Sequence, residues 1–175
     1  MKISTSMVKK IRITELEKLD PLTVIVENFG KGSGKIIIEC FGESWSHFWS
    51  HMGEQYTLET FFCKASDDYL AGKLCRGRED EPDWDGMPKH LRGEIVRMRR
   101  EGEMSKREAR EQYDEAGSIN SEFEVQSNSD LLSLVLGDDW MRCIPDRPTR
   151  EYKYLCKIIP VVKDAFHSLS QAVAA

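Results

Sequence analysis

Two apolar runs of period two, LTVIV from Leu22 and KIIIEC from Lys35, flank the glycine-rich stretch NFGKGSG. Alternation puts every second side chain on one face, the pattern of a half-buried strand. Two such runs around a glycine-rich tip predict a β-hairpin over residues 22–41. Ile11 and Ile13 alternate with Arg12 and Thr14 in the same way. The expected result is a three-stranded antiparallel sheet whose apolar face needs a cover.

Helices downstream are the natural cover. In SWSHFWSHM, Trp45, Phe48, Trp49 and Met52 fall at i, i+3, i+4 and i+7 behind Ser44 as a cap and ahead of Gly53 as a stop. That spacing predicts a helix with an aromatic core face. Thr57 opens a second helix with Leu58, Phe61 and Phe62 on one side. Ser66 opens a third, supported by Asp67 and Asp68 at the positive end of its dipole. The fold class expected is α+β: a three-stranded antiparallel sheet packed by short helices over residues 1–75, an acidic linker or loop over 76–88, and a mainly helical region over 89–175. Within the last region, helices are read in HLRGEIVRMRREG, in SKREAREQYDEAG behind Ser105, in SDLLSLVLGDDW, and in REYKYLCKII and VVKDAFHSLSQAV on either side of Pro160.

Bulk composition excludes several classes. With 40% hydrophobic residues and a net charge of −5 over 175 residues, the chain can build a core and is not a polyanion or a wholly basic nucleic-acid binder. There is no apolar run of about 18 residues to cross a bilayer, and the first twenty residues lack the apolar segment of a signal peptide, so a cytoplasmic setting is expected. Cys40, Cys63, Cys75, Cys143 and Cys156 are odd in number, widely spaced and free of a CxxC pair. They read as reduced thiols rather than a disulfide framework or a zinc ribbon.

Three constellations carry possible chemistry and are set aside on their spacing. His47 and His51, one helical turn apart, would suit a metal ion, with Cys40 and Cys63 completing a set. Those spacings match no zinc module, and Cys40 alternates with core-facing Ile38, so surface histidines and no metal or other cofactor are expected. The glycines of GKGSGK suggest a phosphate loop, but Ile36 follows Lys35 where Ser or Thr is required, and a strand follows where the helix should begin. Cys63, His47 and Asp68 would make a thiol, base and orienter, yet none sits in a nucleophile context. No catalytic residue is assigned, and a binding role is favoured over an enzyme.

Two charged segments are the candidate contact sites. In the loop, Glu79, Asp80, Glu81, Asp83 and Asp85 surround Trp84, an aromatic among carboxylates that suits a basic protein surface. Beyond it, Lys89, Arg92, Arg97, Arg99, Arg100 and Arg107 lie on two consecutive basic helices, the alternative site, facing nucleic acid. IVRMRREGEMSKREA has the look of the first two helices of a helix-turn-helix domain. It departs from that pattern at Tyr113, where glycine is usual, and at SINSEFEV, which offers acids where a recognition helix needs cations.

From Ile11 to about Leu74 the chain also resembles small accessory proteins of lambda-like temperate bacteriophages and prophages of enteric bacteria. The resemblance rests on Gly42, Ser44, Trp45, Phe48, Trp49, Met52 and Gly53, then Phe61, Phe62 and Cys63. It implies a phage accessory gene product acting in the bacterial cytoplasm. The function expected is therefore non-catalytic binding and modulation of a host protein, with a small DNA-binding regulator as the alternative. No membrane partner is expected, and oligomeric state is not legible.

Overall fold

A computed structural model describes residues 1–174. The chain forms two compact units, one built from residues 1–79 and 149–175, the other from Asp80 to Pro148. The first holds a sheet of four strands, not three: β1 (Lys9–Ile13), β2 (Leu22–Gly30), β3 (Ser33–Cys40) and β4 (Glu43–Trp49), antiparallel in sequence order. The overall class is α+β, with a two-stranded sheet and seven α-helices besides, among the described residues.

The added strand is the stretch expected to be a helix. Phe41 and Gly42 make a two-residue turn with φ of +47° and +84°, and a turn that short returns the chain as an antiparallel neighbour. Trp45 then pairs with Ile38, His47 with Ile36 and Trp49 with Gly34. At a period of two, Trp45 and Trp49 enter the core while Phe48 points outward, 52% exposed. The aromatic spacing fits both periods, and a short apolar run cannot choose between them.

The glycine-rich tip is closed rather than loose. Lys31 and Gly32 turn β2 into β3, and Met52 N–H donates to the Gly32 carbonyl at 2.7 Å. A Cβ at Gly32 would sit 2.7 Å from the Gly53 carbonyl oxygen, at a φ of +70° that other residues rarely adopt.

One face of this sheet is covered by α1 (Leu58–Lys64), α2 (Asp67–Leu74) and α7 (Arg150–Ala174). The caps Thr57 and Ser66 accept the backbone N–H groups of Thr60 and Tyr69. The helix α7, expected as two pieces of the C-terminal helical region, is one helix of the sheet unit with Pro160 inside it. Leu155, Ile158, Ile159, Val162 and Phe166 form one buried stripe that stays in phase across the proline. Burial on both sides of Pro160 outweighs the one backbone bond it removes.

The second unit is a continuous insertion between α2 and α7. A ribbon of β5 (Asp80–Pro82) and β6 (Asp146–Pro148) brings its ends together. Between them run α3 (Met87–Glu101), α4 (Lys106–Glu115), α5 (Glu122–Ser127) and α6 (Ser129–Leu136). Met87, Leu91 and Ile95 share a face of α3 and pack with Ala109, Ile119, Val125, Leu132 and Val135. Gly102, at φ +81°, ends α3, and Ser105 caps α4. Of residues 76–88, read from the sequence as an acidic linker or loop, residues 80–88 supply β5, part of this core and the start of α3.

Candidate interaction surfaces

The acidic loop folds back on its own unit. Arg147 on β6 meets Glu81 at 3.0 Å, Asp83 at 3.4 Å and Asp85 at 2.5 Å. Asp83 also accepts the Gly86 N–H at 3.1 Å, fixing the turn into α3. Trp84 is only partly exposed and packs on the core of the unit. The structure therefore brings Glu81, Asp83 and Asp85 together around one guanidinium and turns Trp84 inward; Asp80 lies in the ribbon, and Glu79 accepts the Thr149 N–H at 2.8 Å.

The basic helices divide their cations between two faces. Arg97 pairs with Glu94 at 2.8 Å and with Glu101, one turn away on either side. Lys89, Arg92, Gly93, Val96, Arg99 and Arg100 recur at helical spacing on the face of α3 towards α4. From α4, Lys106, Arg110 and Tyr113 face them. The Arg92 guanidinium lies 4.7 Å over the Tyr113 ring while its Nε donates to the Tyr113 carbonyl at 3.0 Å. Arg107 stays outside this groove. At the place a recognition helix would take, α5 is six residues long, presents Glu122 and spends Glu124 on the Asn120 N–H and Ser121 hydroxyl.

The sheet unit carries a surface that sequence reasoning missed. Phe41, at the tip of the β3–β4 turn, is 86% exposed. Both positions of a two-residue turn of this hand need positive φ, which favours Asn, Asp or Gly. A phenylalanine there is strained. Beneath it lies a cavity of about 640 Å³ walled by Trp45 and Tyr154 and bordered by Asp20, Glu43, Arg76 and Glu151. Glu39 and Glu43 border a second cavity that Phe41 also lines. The turn dipeptide Phe41-Gly42 ahead of Trp45, His47 and Trp49 at spacing two was the signal that could have found it.

A polar network stiffens the floor of that cavity. Trp45 Nε1 donates to Glu151 at 2.8 Å, and Arg76 bridges Glu151 at 3.0 Å and Glu43 at 2.7 Å. Burial pushes the Glu151 carboxyl up, but the hydrogen bonds from Arg76 and Trp45 outweigh it and leave the group below its ordinary value. Tyr154 lies 3.2 Å from the Cys40 thiol, and that contact together with burial pushes its hydroxyl up to about 12.

The other constellations are placed apart. His47 lies on β4 with its ring 4.5 Å from that of Trp49, and His51 is exposed beyond the strand, so they no longer share a helical turn. Burial and the nearby Lys73 charge hold the His47 imidazole low. The Cys63 thiol, pushed up by burial, donates to the Lys163 carbonyl at 3.8 Å, and Asp68 accepts from Tyr152 at 3.4 Å. No three metal-binding side chains converge among the described residues, and no helix there is long and apolar enough to cross a membrane.

Fold and surfaces define an α+β chain in which a helical unit is inserted between α2 and α7 of a four-stranded sheet unit. The chain belongs to a phage family: a family model of that description matches residues 1–168. No curated protein and no solved structure matches it. The phage origin expected from residues 11–74 thus extends through the helical insertion and most of α7.

Proposed function

We propose that this phage protein is a non-catalytic accessory protein of a lambda-like temperate phage or prophage, which binds a host protein in the bacterial cytoplasm and modulates it. The observation that carries this reading is Phe41. A large aromatic ring held almost fully in solvent, in a backbone conformation that costs about 1–2 kcal/mol for a residue with a bulky side chain, has no structural purpose in its own unit. Interfaces use such rings as anchors that fill a pocket on the partner. Asp20 and Glu39 border the cavities that Phe41 lines and make no ion pair among the described residues, against Arg150 as the unpaired cation there. This acidic balance favours a partner with a basic rim around an apolar pocket. This is the chemistry the sequence suggested for Trp84, transferred to a residue that is exposed.

The test is a binding comparison between the wild-type chain and Phe41→Asn, using host protein captured by the wild type and then purified. Loss of an anchor ring costs about 2 kcal/mol or more, so affinity should fall about 30-fold or more. Equal affinity for the two chains would remove Phe41 from the interface and this reading with it.

A further inference from the structure

We propose that the groove between α3 and α4 is a second binding site, which takes an acidic, extended peptide segment of a protein partner. The proposal stands on the inserted unit alone and does not depend on Phe41.

Two adjoining cavities of about 420 and 580 Å³ share Val96, Arg100 and Tyr113 and so form one groove. Lys89, Arg99, Arg100 and Lys106 line it and make no ion pair among the described residues. Arg110 is tied only to Asp114, at 3.2 Å and in full view of solvent. Arg97, the α3 arginine outside the groove, is neutralised by Glu94 and Glu101 one turn away, whereas Lys89, Arg99 and Arg100 are left for something else. An apolar element accompanies them. Val96 and Tyr113 are 37% and 39% exposed, and the space over Gly93 is open, since a Cβ built there meets nothing within 4 Å. A mid-helix glycine costs about 1 kcal/mol relative to alanine, and here it keeps the groove floor low. From Lys89 to Arg100 the groove runs about 16 Å at the helical rise, enough for about five residues of extended chain. A segment with carboxylates on alternate positions and one aromatic or aliphatic side chain matches this lining: carboxylates for the guanidinium groups, the apolar side chain against Val96 and Tyr113.

Charge decides between a peptide and a nucleic acid. The inserted unit, residues 80–148, has ten Lys and Arg against seventeen Asp and Glu, a net of −7, so the groove is a basic strip on an acidic body. A nucleic-acid strand carries its charge far beyond about 16 Å and would run into that negative field at both ends. Asp85 stands at one end of the groove, and α5, with Glu122 and Glu124, follows α4 where a base-reading helix would stand. A short acidic segment flanked by neutral or basic residues meets the cations and avoids the repulsion.

Fluorescence anisotropy with the full chain tests this. The probe is a labelled peptide of about ten residues whose central five or so carry Asp and Glu on alternate positions beside one Phe, between neutral Gly and Ser flanks. A counterpart in which Lys replaces the acids and single-stranded and duplex oligonucleotides serve as competitors. Saturable binding of the acidic peptide is expected, weakening with salt, and weaker by about tenfold or more in the double variant Arg99→Glu, Arg100→Glu. Lys106→Glu, on the other wall, should lose affinity in the same direction, while Arg142→Glu, an exposed cation outside the groove, should bind as wild type does. The substituted cations Arg99, Arg100, Lys106 and Arg142 are all exposed, so each variant should keep a cooperative thermal transition, with only the small cost that charge reversal in the last turn of α3 brings to the double variant. No saturable peptide binding, an equal loss in Arg142→Glu, or tighter binding of either oligonucleotide than of the peptide overturns the proposal.

Discussion

Replacing Phe41 with asparagine should make the protein more stable. At φ +47° the phenylalanine carries a left-handed backbone cost of about 1–2 kcal/mol, which asparagine largely escapes because its short polar side chain tolerates that region. Against this stands the lost burial of the ring. With 86% of the residue in solvent, only about 30 Å² of the roughly 200 Å² of a phenylalanine is covered, worth about 0.7 kcal/mol at about 25 cal/mol per Å². The balance is a gain of about 0.5–1 kcal/mol, or about 2–6 °C in melting temperature for a unit of this size. Circular dichroism melting of the two chains under identical conditions measures it. A fall of more than about 2 °C would refute the reasoning, because it would mean that Phe41 holds the turn together rather than straining it. A gain in stability joined to a loss of binding is the expected signature of a residue kept for contact.

Two further substitutions test the sheet unit. Trp49 is 5% exposed and its Nε1 donates to the Tyr69 hydroxyl at 3.0 Å, so Trp49→Ala should cost about 3–5 kcal/mol by denaturant unfolding; a cost under about 1 kcal/mol would place this ring outside the core. Glu151 is ionised more readily in the folded than in the unfolded chain, so its contribution is fully present above about pH 4.5 and is lost as pH falls through its lower folded value. The stability difference between wild type and Glu151→Gln should therefore be constant near neutrality and shrink below about pH 4.5; a difference that grows on acidification contradicts the Arg76 and Trp45 bonds.

Legibility followed the range of the signal. Features set by a few neighbouring residues could be read directly: the β2–β3 hairpin from its alternation, the caps Thr57, Ser66 and Ser105 from side chains that bond three residues ahead, the end of α3 from Gly102. Features set at a distance could not. Whether SWSHFWSHM becomes helix or strand depends on Ile36 and Ile38 of β3 as pairing partners, not on its own spacing. Pro160 marks a break only in an isolated helix; the buried stripe around it belongs to the sheet unit's core. The partial burial of Trp84 is not legible from its neighbours, because Arg147, which gathers the surrounding carboxylates, is over sixty residues away in the chain. The insertion itself is announced only by β5 and β6, three residues each. Among the site residues, the basic character of α3 was plain, but the division between paired Arg97 and the groove cations needed the second helix in place.

In the proposed function this phage protein holds a host protein through the Phe41 tip. The most direct measurement of that hold is an affinity capture from host lysate with the wild-type chain and Phe41→Asn side by side, each with and without nuclease. One host protein should be retained in stoichiometric amount by the wild type, indifferent to nuclease, and lost from Phe41→Asn despite that chain's higher melting temperature. Capture that disappears with nuclease, or that is the same for both chains, would contradict that function.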